Sequence, residues 1–389
     1  MKKIMDFVKR ETVLSVALLL AVVSAFLVKP DAGYIDYIDF RTLAILFCLM
    51  SVMAGLQKLG IFRWIAEKLM ESVHGMVQLV LILTLLCFVF GMFITNDVTL
   101  ITFVPFAITV MGLLGEDCKN RLLVPVTVLQ TIAANMGSML TPIGNPQNLY
   151  LYDKAQISVG AFVWLMLPYS VAALVLVVIC CVFLGVREKK IAGTNLEYMA
   201  AQIAGGEKKA VVGDKKRIVL YLLLFVASLL TVAGFLPYGI PLALTVVSIL
   251  IWDRQVLGKV DYALLFTFVA FFIFVGNMGR IPQFSALLEK VVVGNEVPTA
   301  IIVSQAISNV PASLLLSGFT DNFKALIVGA NLGGLGTLIA SMASLITYKF
   351  IVREAGNKKG IYLLHFTLLS VCFLAVLVIL YLCIGVRWF

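Results

Sequence analysis

The stretch that decides the fold is AANMGSMLTPIGNPQNLYLY, residues 133–152. It begins and ends with apolar residues, but its centre is dense in Gly, Asn, Thr, Ser and Pro. Pro142 and Pro146 each remove a backbone hydrogen-bond donor, so the stretch is predicted to form two helical segments with a break between them. A second stretch of the same character, GANLGGLGTLIASMASLITY, covers residues 329–348, and its run GGLG lowers helix propensity. The sequence therefore predicts two broken helices.

The composition is that of a membrane protein. Of the 389 residues, 61% are hydrophobic and 13% are charged, whereas charged residues make up about a quarter of a soluble domain. The apolar residues come in blocks of about 17 to 25, the length of helix that spans a bilayer, and the blocks lack the alternation of barrel strands. The sequence therefore predicts an all-α polytopic membrane protein. The net charge of +9 lies in short basic runs between the blocks, which argues against a nucleic-acid-binding face.

Two apolar stretches carry polar residues at their centres, where a lipid-facing helix would have none. Their centres are Thr95-Asn96-Asp97 and Ser308-Asn309-Val310-Pro311. We predict that these polar runs are the tips of two re-entrant hairpins, which return to the side of the membrane they entered from. The predicted hairpins cover residues 76–115 and 297–319, and the predicted broken helices cover residues 121–152 and 323–350. With the broken helices included, we expect about nine full crossings.

Lysine and arginine orient the chain, because they concentrate in cytoplasmic loops. The basic residues before residue 12 place the N-terminus in the cytoplasm. The order of crossings then places the basic loops 187–217, 252–261 and 349–360 on the same side and the loop 29–41 outside. The C-terminus is expected outside. We expect the protein in the cytoplasmic membrane of a bacterium, with residues 187–217 forming a flexible cytoplasmic linker that carries no chemistry.

The chain also matches itself without gaps. Asp39 falls on Asp261 at an offset of 222, and Asn135 falls on Asn331 at an offset of 196. Because the predicted topology gives matched crossings opposite directions, the two halves are predicted to be inverted repeats, the architecture of many secondary transporters. The alternative is chance similarity between apolar segments. The predicted halves are residues 1–186 and 218–389.

The tips and breaks are predicted to form the binding site. Broken helices expose free N–H groups on one half-helix and free C=O groups on the other, which suit an anion and a small cation respectively. The tips add amide and hydroxyl groups. The predicted substrate-binding residues are Thr95, Asn96, Thr141, Asn145, Ser308, Asn309, Thr337 and Ser341. The residues predicted to act on the coupling ion are Asp97, Asn135, Gly137, Ser138, Asn331, Gly333 and Gly336.

Asp97 is the one carboxylate in these polar centres, and Val310 holds the equivalent place in the second tip. An ionisable group at membrane depth is a functional candidate; Asp97 binds sodium, carries a proton, or only caps the second arm of its hairpin. The other polar residues have a structural alternative as interhelical hydrogen-bonding groups, and Gly329 with Gly333 as a small-residue packing face. The sequence offers no metal-ligand set and no nucleophile paired with a base, so we predict neither an enzyme nor a resident metal or cofactor.

These residues resemble a known group, the ion transporter superfamily. It holds divalent-anion/sodium symporters, citrate transporters, arsenite permeases and one class of sodium/proton antiporters. The resemblance rests on the two tips together with Thr141–Pro146 and Gly333–Ile339, and it covers most of the chain. It implies that tips and breaks bind substrate and sodium. It also implies an elevator mechanism, in which hairpins and broken helices slide as a block against a dimeric scaffold.

The sequence departs from the dicarboxylate symporters of that superfamily in three places. Asp97 and Val310 stand where those symporters have threonine, and Pro311 after the second tip looks more like the arsenite permeases. The first half also lacks the helices that the family has before the position of residue 12.

The sequence therefore predicts a secondary active transporter in the lipid bilayer that couples a small anion, a di- or tricarboxylate, to sodium or protons, and the resemblance implies a homodimer. Two alternatives stay open: efflux of arsenite or another inorganic oxyanion, and sodium/proton exchange through Asp97. The substrate, the coupling ion and its stoichiometry, the direction of transport and the need for a partner ATPase are left open by the sequence.

Overall fold

The computed structural model describes residues 11–188 and 214–384, which contain helices and no strand. Residues 1–10, residues 189–213 of the predicted linker and residues 385–389 lie outside the described residues. In chain order the helices are α1 (Thr12–Leu27), α2 (Phe40–Lys58), α3 (Ile61–Met70), α4 (Met76–Ile94), α5 (Asn96–Leu113), α6 (Glu116–Ser138), α7 (Pro146–Ala155), α8 (Val159–Glu188), α9 (Lys215–Val232), α10 (Gly239–Trp252), α11 (Tyr262–Gly279), α12 (Pro282–Val292), α13 (Glu296–Ile307), α14 (Asn309–Leu316), α15 (Phe323–Leu332), α16 (Met342–Glu354) and α17 (Lys359–Ile384).

Six helices of the described residues are long and apolar enough to cross a membrane: α2, α4, α5, α8, α11 and α17 with the turn that precedes it. Four further apolar helices, α1, α10, α13 and α15, are shorter. The all-α polytopic membrane protein predicted from the sequence is thereby confirmed. The number of full crossings stays a prediction, because α4 and α5, with 19 and 18 residues, are each about as long as a bilayer core is thick. Length alone does not separate a re-entrant pair from two crossings.

The matched segments at the offset of 222 begin in the same way. The carboxylate of Asp39 accepts a hydrogen bond from the backbone N–H of Thr42 at 2.9 Å and caps α2. Asp261 accepts from the N–H of Leu264 at 2.9 Å and caps α11. Such a side-chain cap satisfies one of the free donors at a helix start. Each capped helix is followed by a short helix, α3 or α12, so the sequence match corresponds to a match in local structure.

The two halves contact each other through equivalent pairs of helices. In the first half α4 and α5 pack on α6, and in the second half α13 and α14 pack on α15. Across the halves, α5 packs on α16, and its counterpart α14 packs on α7. The outer helices also pack across the two halves: α1 packs along α11, and α10 packs against α2. Each helix that follows a break therefore contacts the second hairpin arm of the other half.

Candidate functional site

The two polar tips share one unusual backbone conformation. Thr95 has φ 63° and ψ 147°, and Ser308 has φ 73° and ψ 154°. A positive φ is rare for residues other than glycine, and holding one there costs about 1–3 kcal/mol. Contacts with the surrounding structure therefore hold both residues in this strained conformation, as is common at binding sites.

Each tip is fastened to the break of its own half. The backbone N–H of Asn96 donates to the carbonyl of Gly144 at 3.3 Å, and that of Asn309 donates to the carbonyl of Ala340 at 2.9 Å. Gly144 and Ala340 are equivalent positions at the offset of 196. Each of them lies two residues before the first residue of the next helix, so the second arm of each hairpin and the helix after each break start side by side.

Both broken stretches are interrupted where their polar residues lie. Helix α6 ends at Ser138 and α7 begins at Pro146, while α15 ends at Leu332 and α16 begins at Met342. Pro146 occupies the first position of α7, where its missing N–H does no harm. The residues between these helix ends lie in turns and bends, so the backbone groups of each break are not used by a continuous helix.

Four helix starts meet at one small cavity. Its lining comes mainly from the first residues of α5, α7, α14 and α16, and the lining residues are Asn96, Asp97, Asn145, Pro146, Gln147, Leu264, Asn309, Val310, Ser341 and Met342. The cavity measures about 10 Å³, room for roughly one water molecule. A small ion fits this space, whereas a di- or tricarboxylate requires the tips and breaks to separate.

None of these four helix starts has a side-chain cap from the described residues. In contrast, α2, α9, α11 and α15 are capped by Asp or Asn side chains. The first N–H groups of a helix have no partner within the helix, and the helix dipole adds about half a positive charge at that end. The cavity therefore receives the positive ends of four helices that have no capping side chain among the described residues. Of their first donors, the N–H groups of Asn96 and Asn309 are bonded to the backbone carbonyls of the breaks.

Asp97 lies in the first turn of α5 and lines the cavity. The described chain provides no hydrogen-bond partner for its buried Oδ1 atom. The capping alternative for Asp97 therefore has no support in the observed hydrogen bonds. The carboxylate is instead placed among helix N-termini, whose potential favours negative charge.

Asn135 joins the first tip to the second break. Its Oδ1 atom accepts hydrogen bonds from Nδ2 of Asn96 and from Oγ of Ser341, both at 2.9 Å. Next to it, Nδ2 of Asn145 donates to Oγ of Ser138 at 2.7 Å. All five of these residues are predicted from the sequence to act on either the substrate or the ion, and the structure brings them into one cluster.

Two residues that the sequence reasoning missed complete this cluster. Gln147 is buried and lines the cavity. Asn148 donates from Nδ2 to the carbonyls of Ser138 and Thr141 at 3.2 and 3.3 Å, and its Oδ1 accepts from Nδ2 of Asn331 at 2.7 Å. The available signal was the polar run Asn145–Asn148 at the start of an otherwise apolar helix.

Six of the buried polar atoms that have no partner in the described residues belong to this cluster. Such an atom costs about 1–3 kcal/mol, and each one in a native protein calls for an explanation such as a ligand or an ion. Those of the cluster are Asp97 Oδ1, Asn135 Nδ2, Asn145 Oδ1, both amide atoms of Gln147, and Asn331 Oδ1. Oxygens and nitrogens are both among them, so the cluster offers groups for a cation and for an anion.

Other predicted site residues lie outside the cavity lining. Thr337 is exposed; its N–H donates to Oε1 of Gln305 at 2.8 Å and its hydroxyl to the carbonyl of Gln305 at 3.3 Å. Its equivalent, Thr141, donates from its hydroxyl to the carbonyl of Met92. Both threonines therefore fasten a break to the first arm of its own hairpin, which is a positioning role.

The three predicted glycines lie at close contacts with the helices that precede the tips. A Cβ atom on Gly137 would overlap the carbonyl oxygen of Phe88 in α4, and one on Gly333 would lie 2.6 Å from Oγ of Ser304. Gly336 has φ 111° and donates its N–H to Oγ of Ser370 at 2.8 Å. These positions require the absence of a side chain so that the breaks can approach the hairpins.

Residues 4–323 match the family described as citrate transporter. The chain belongs to the citrate transporter family. This family member is 30% identical over 316 residues to an uncharacterized transporter of Methanocaldococcus jannaschii, covering 80% of this chain and 81% of the relative. It is 31% identical over 317 residues to the inner membrane protein YbiR of Escherichia coli, covering 80% of each. A shorter match, 28% over 131 residues, reaches the P protein of Homo sapiens and covers 33% of this chain and 15% of that protein.

The family membership confirms the resemblance to the ion transporter superfamily. Together with the apolar helices it identifies the protein as an integral membrane transporter. The family is described as a citrate transporter, and the first two relatives are described as a transporter and an inner membrane protein, which is consistent with the prediction that the protein is not an enzyme.

Proposed function

We propose that this member of the citrate transporter family is an ion-coupled secondary transporter of a small anion, with di- or tricarboxylates as the substrate class. The observation that carries the proposal is the meeting of four uncapped helix N-termini at one cavity. Free N–H groups at helix starts bind carboxylate oxygens, and the four dipoles favour negative charge. In the described part of the chain, the cavity lining includes neither lysine nor arginine, so the substrate charge meets dipoles and amides.

The coupling ion acts through Asp97 in this proposal. A carboxylate at the cavity repels an anionic substrate, and a bound sodium ion or a proton removes that repulsion. Carboxylate and amide oxygens are the ligands that hard cations prefer, and Oδ1 of Asp97, Oδ1 of Asn145 and Oε1 of Gln147 are buried without partners in the described residues. Cation binding and anion binding therefore support each other, which is the thermodynamic basis of symport.

The equivalent contacts between the two halves support the predicted inverted repeat. The contact of α5 with α16 corresponds to that of α14 with α7, as expected if one half is related to the other by a two-fold operation. Helices interrupted near the middle of the membrane are typical of such transporters. We propose that the two hairpins are re-entrant and that hairpins and breaks move together against α1, α2, α10 and α11 in a dimeric elevator. The movement opens the cavity of about 10 Å³.

Ion pairs between loops support the predicted sidedness. Lys58 contacts Asp253 at 2.6 Å, and Lys119 contacts Glu354 at 2.6 Å, between segments that the basic-residue pattern places in the cytoplasm. On the opposite side, Arg280 contacts Asp31 at 2.6 Å. Each pair joins two segments assigned to the same side, as the proposed orientation with a cytoplasmic N-terminus and an outer C-terminus requires.

Sodium/proton exchange is a second candidate function, and the size of the cavity favours it. The space accepts an ion without any movement, and Asp97 is the one carboxylate in the lining. In that case Asp97 alternates between sodium and a proton, and no anion is bound.

The test is the thermal stability of the purified protein with succinate, malate, citrate, arsenite or sulfate, each in sodium and in potassium. A ligand that binds only the folded state raises Tm. We expect a rise with a carboxylate that depends on sodium or on low pH, and its loss in Asn96→Ala and Asn309→Ala. Asn277→Ala is the matched control, since Asn277 is a buried, hydrogen-bonded amide in α11 that does not line the cavity.

Each other outcome selects a different function. A shift from sodium or pH alone, with no effect of any anion, supports cation exchange and contradicts the anion proposal. A shift with arsenite or sulfate but with no carboxylate replaces the carboxylate class by an inorganic oxyanion. Unchanged anion shifts in both tip variants would show that the anion binds elsewhere.

A further inference from the structure

A larger groove lies away from the tips and breaks, between α6, α8 and α17. Its volume is about 870 Å³, far above the space at the candidate transport site. Helix α6 continues from this groove to Asn135. Helix α17 is largely exposed on its other faces, since only 17% of its most apolar 18-residue stretch is buried within the chain. The groove is therefore at the surface that the protein presents to the hydrocarbon of the membrane.

One end of the groove is basic. Arg121 from α6, Arg187 from the end of α8 and Lys358 from the turn before α17 meet there, with Glu188 as the acidic residue in the lining. The ammonium of Lys358 donates to the carbonyl and to Oδ1 of Asn120 at 2.8 and 2.7 Å, which holds the lysine at the groove. Three positive charges against one negative charge leave this end with an excess of positive charge.

The rest of the groove is apolar. Ile179 and Cys180 of α8 and Leu368 and Cys372 of α17 line it. From Lys358 to Cys372 a helix rises by about 21 Å at 1.5 Å per residue. Half of a bilayer with its head groups is about 20–22 Å thick. The groove therefore has the length of one leaflet, with its charged end at the level of the head groups and its apolar end near the middle of the membrane.

We propose that this groove binds an anionic phospholipid from the surrounding leaflet. The phosphate lies between the basic residues, and an acyl chain lies along α8 and α17. Charge complementarity supports this occupant, because the basic end attracts an anionic head group by about 1 kcal/mol per lysine or arginine. The predicted topology also supports a lipid as the occupant, because the topology places the basic end in the cytoplasmic leaflet, where anionic lipids are enriched. A second copy of the chain is disfavoured, because a symmetric contact across this face would bring two basic ends together.

The experiment compares phosphatidylglycerol with phosphatidylcholine of the same acyl chains, added to the purified full-length protein and counted by native mass spectrometry. We expect the protein to retain phosphatidylglycerol in preference. The double variant Arg121→Gln, Lys358→Gln should weaken that retention roughly thirtyfold, which corresponds to about 2 kcal/mol. The matched control is Arg254→Gln, Lys290→Gln, which removes two exposed basic residues outside the groove and should change nothing.

A second pair of variants tests the apolar end and keeps the charges. Cys372→Trp places a large ring in the groove, whereas Cys383→Trp places it on the same helix outside the groove; both cysteines are exposed. We expect only Cys372→Trp to reduce the retained phosphatidylglycerol. Equal retention of the two lipids by the unmodified protein, or unchanged retention in Arg121→Gln, Lys358→Gln, would overturn the proposal. So would a dimer held through α17 with no lipid bound.

Discussion

Asn331 donates a hydrogen bond to Asn148 over 2.7 Å, and this contact links the two helix breaks to each other. Asn331 lies one residue before the end of α15, and Asn148 lies in the first turn of α7. Both amides are buried. Since a buried amide that loses its partner is left without water to replace it, the pair holds the two halves of the candidate site in a fixed relative position.

The first prediction concerns this pair. Asn331→Leu leaves the Oδ1 atom of Asn148 buried without its donor, so the free energy of unfolding should fall by about 1–3 kcal/mol. Asn148→Leu should cost at least as much, because it also removes donors to Ser138 and Thr141. The double variant should be less destabilised than the sum of the two, by about 0.5–3 kcal/mol. Denaturant unfolding measures all three, and strict additivity would show that the two amides do not interact.

The second prediction concerns Asp97. Asp97→Asn keeps the shape of the side chain and removes its negative charge. If Asp97 holds the coupling ion or the proton, the variant should lose the dependence of Tm and of transport on sodium and on pH, while its folding is kept, since no cap is removed. Measurements of Tm in sodium against potassium, and of uptake into proteoliposomes, decide this. An unchanged dependence on both ions would assign the coupling ion to other residues.

The sequence predicts the backbone of the candidate site better than it predicts the contacts of its side chains. The interruption between Ser138 and Pro146 lies within the stretch whose prolines predict it, because proline removes a donor wherever it stands. The turns at Thr95 and Ser308 lie at the predicted tips, because a polar centre in an apolar stretch is a local signal. Both are properties of short segments, and a single sequence shows them directly.

The side-chain partners were harder to predict, because they depend on how distant segments approach. Thr337, which the sequence predicts to bind substrate, lies exposed and donates its N–H to Gln305, a contact that the sequence does not show. Gln305 itself carries no signal in the sequence, since one polar residue in an apolar helix is common. Gln147 and Asn148 follow the break that was recognised, but only the packing of α7 on α14 and α15 shows that they face the other half.

The third prediction separates the backbone of the tips from their hydroxyl groups. Glycine adopts a positive φ at little cost, so Thr95→Gly and Ser308→Gly should each raise the free energy of unfolding by about 1 kcal/mol. Gln156→Gly, at a further positive φ of 49° outside the cavity lining, is the control for the effect on stability alone. If the tip hydroxyls bind substrate, as the sequence predicts, transport falls in the two tip variants and stays normal in Gln156→Gly. If they do not, all three variants transport normally.

The fourth prediction concerns the contact between α4 and α6. Gly137→Ala forces a Cβ atom onto the carbonyl of Phe88, and because this is backbone, the helices must separate. The free energy of unfolding should fall by about 1–3 kcal/mol or more. Gly112→Ala is the matched control, since nothing lies within 4 Å of its Cβ position in α5, and there alanine should stabilise the helix by about 0.5–1 kcal/mol. Equal effects of the two variants in a thermal unfolding series would show that α4 and α6 are not in close contact.

The fifth prediction concerns Gln305, which holds the second break in place. Its Nε2 atom donates to the carbonyls of Gly333 and Leu335 at 3.1 and 2.9 Å, and its Oε1 accepts from the N–H of Thr337 at 2.8 Å. The first half has Met92 at the position equivalent by distance from the tip, and only its backbone carbonyl is used there, by Thr141. Gln305→Met should therefore release backbone groups of the second break and leave the first unaffected. Amide hydrogen exchange should become faster at Thr337 and its neighbours, with no change at Gly144. Faster exchange at both breaks would mean that they open together, and the movement proposed for transport would then begin from the whole cluster rather than from one half.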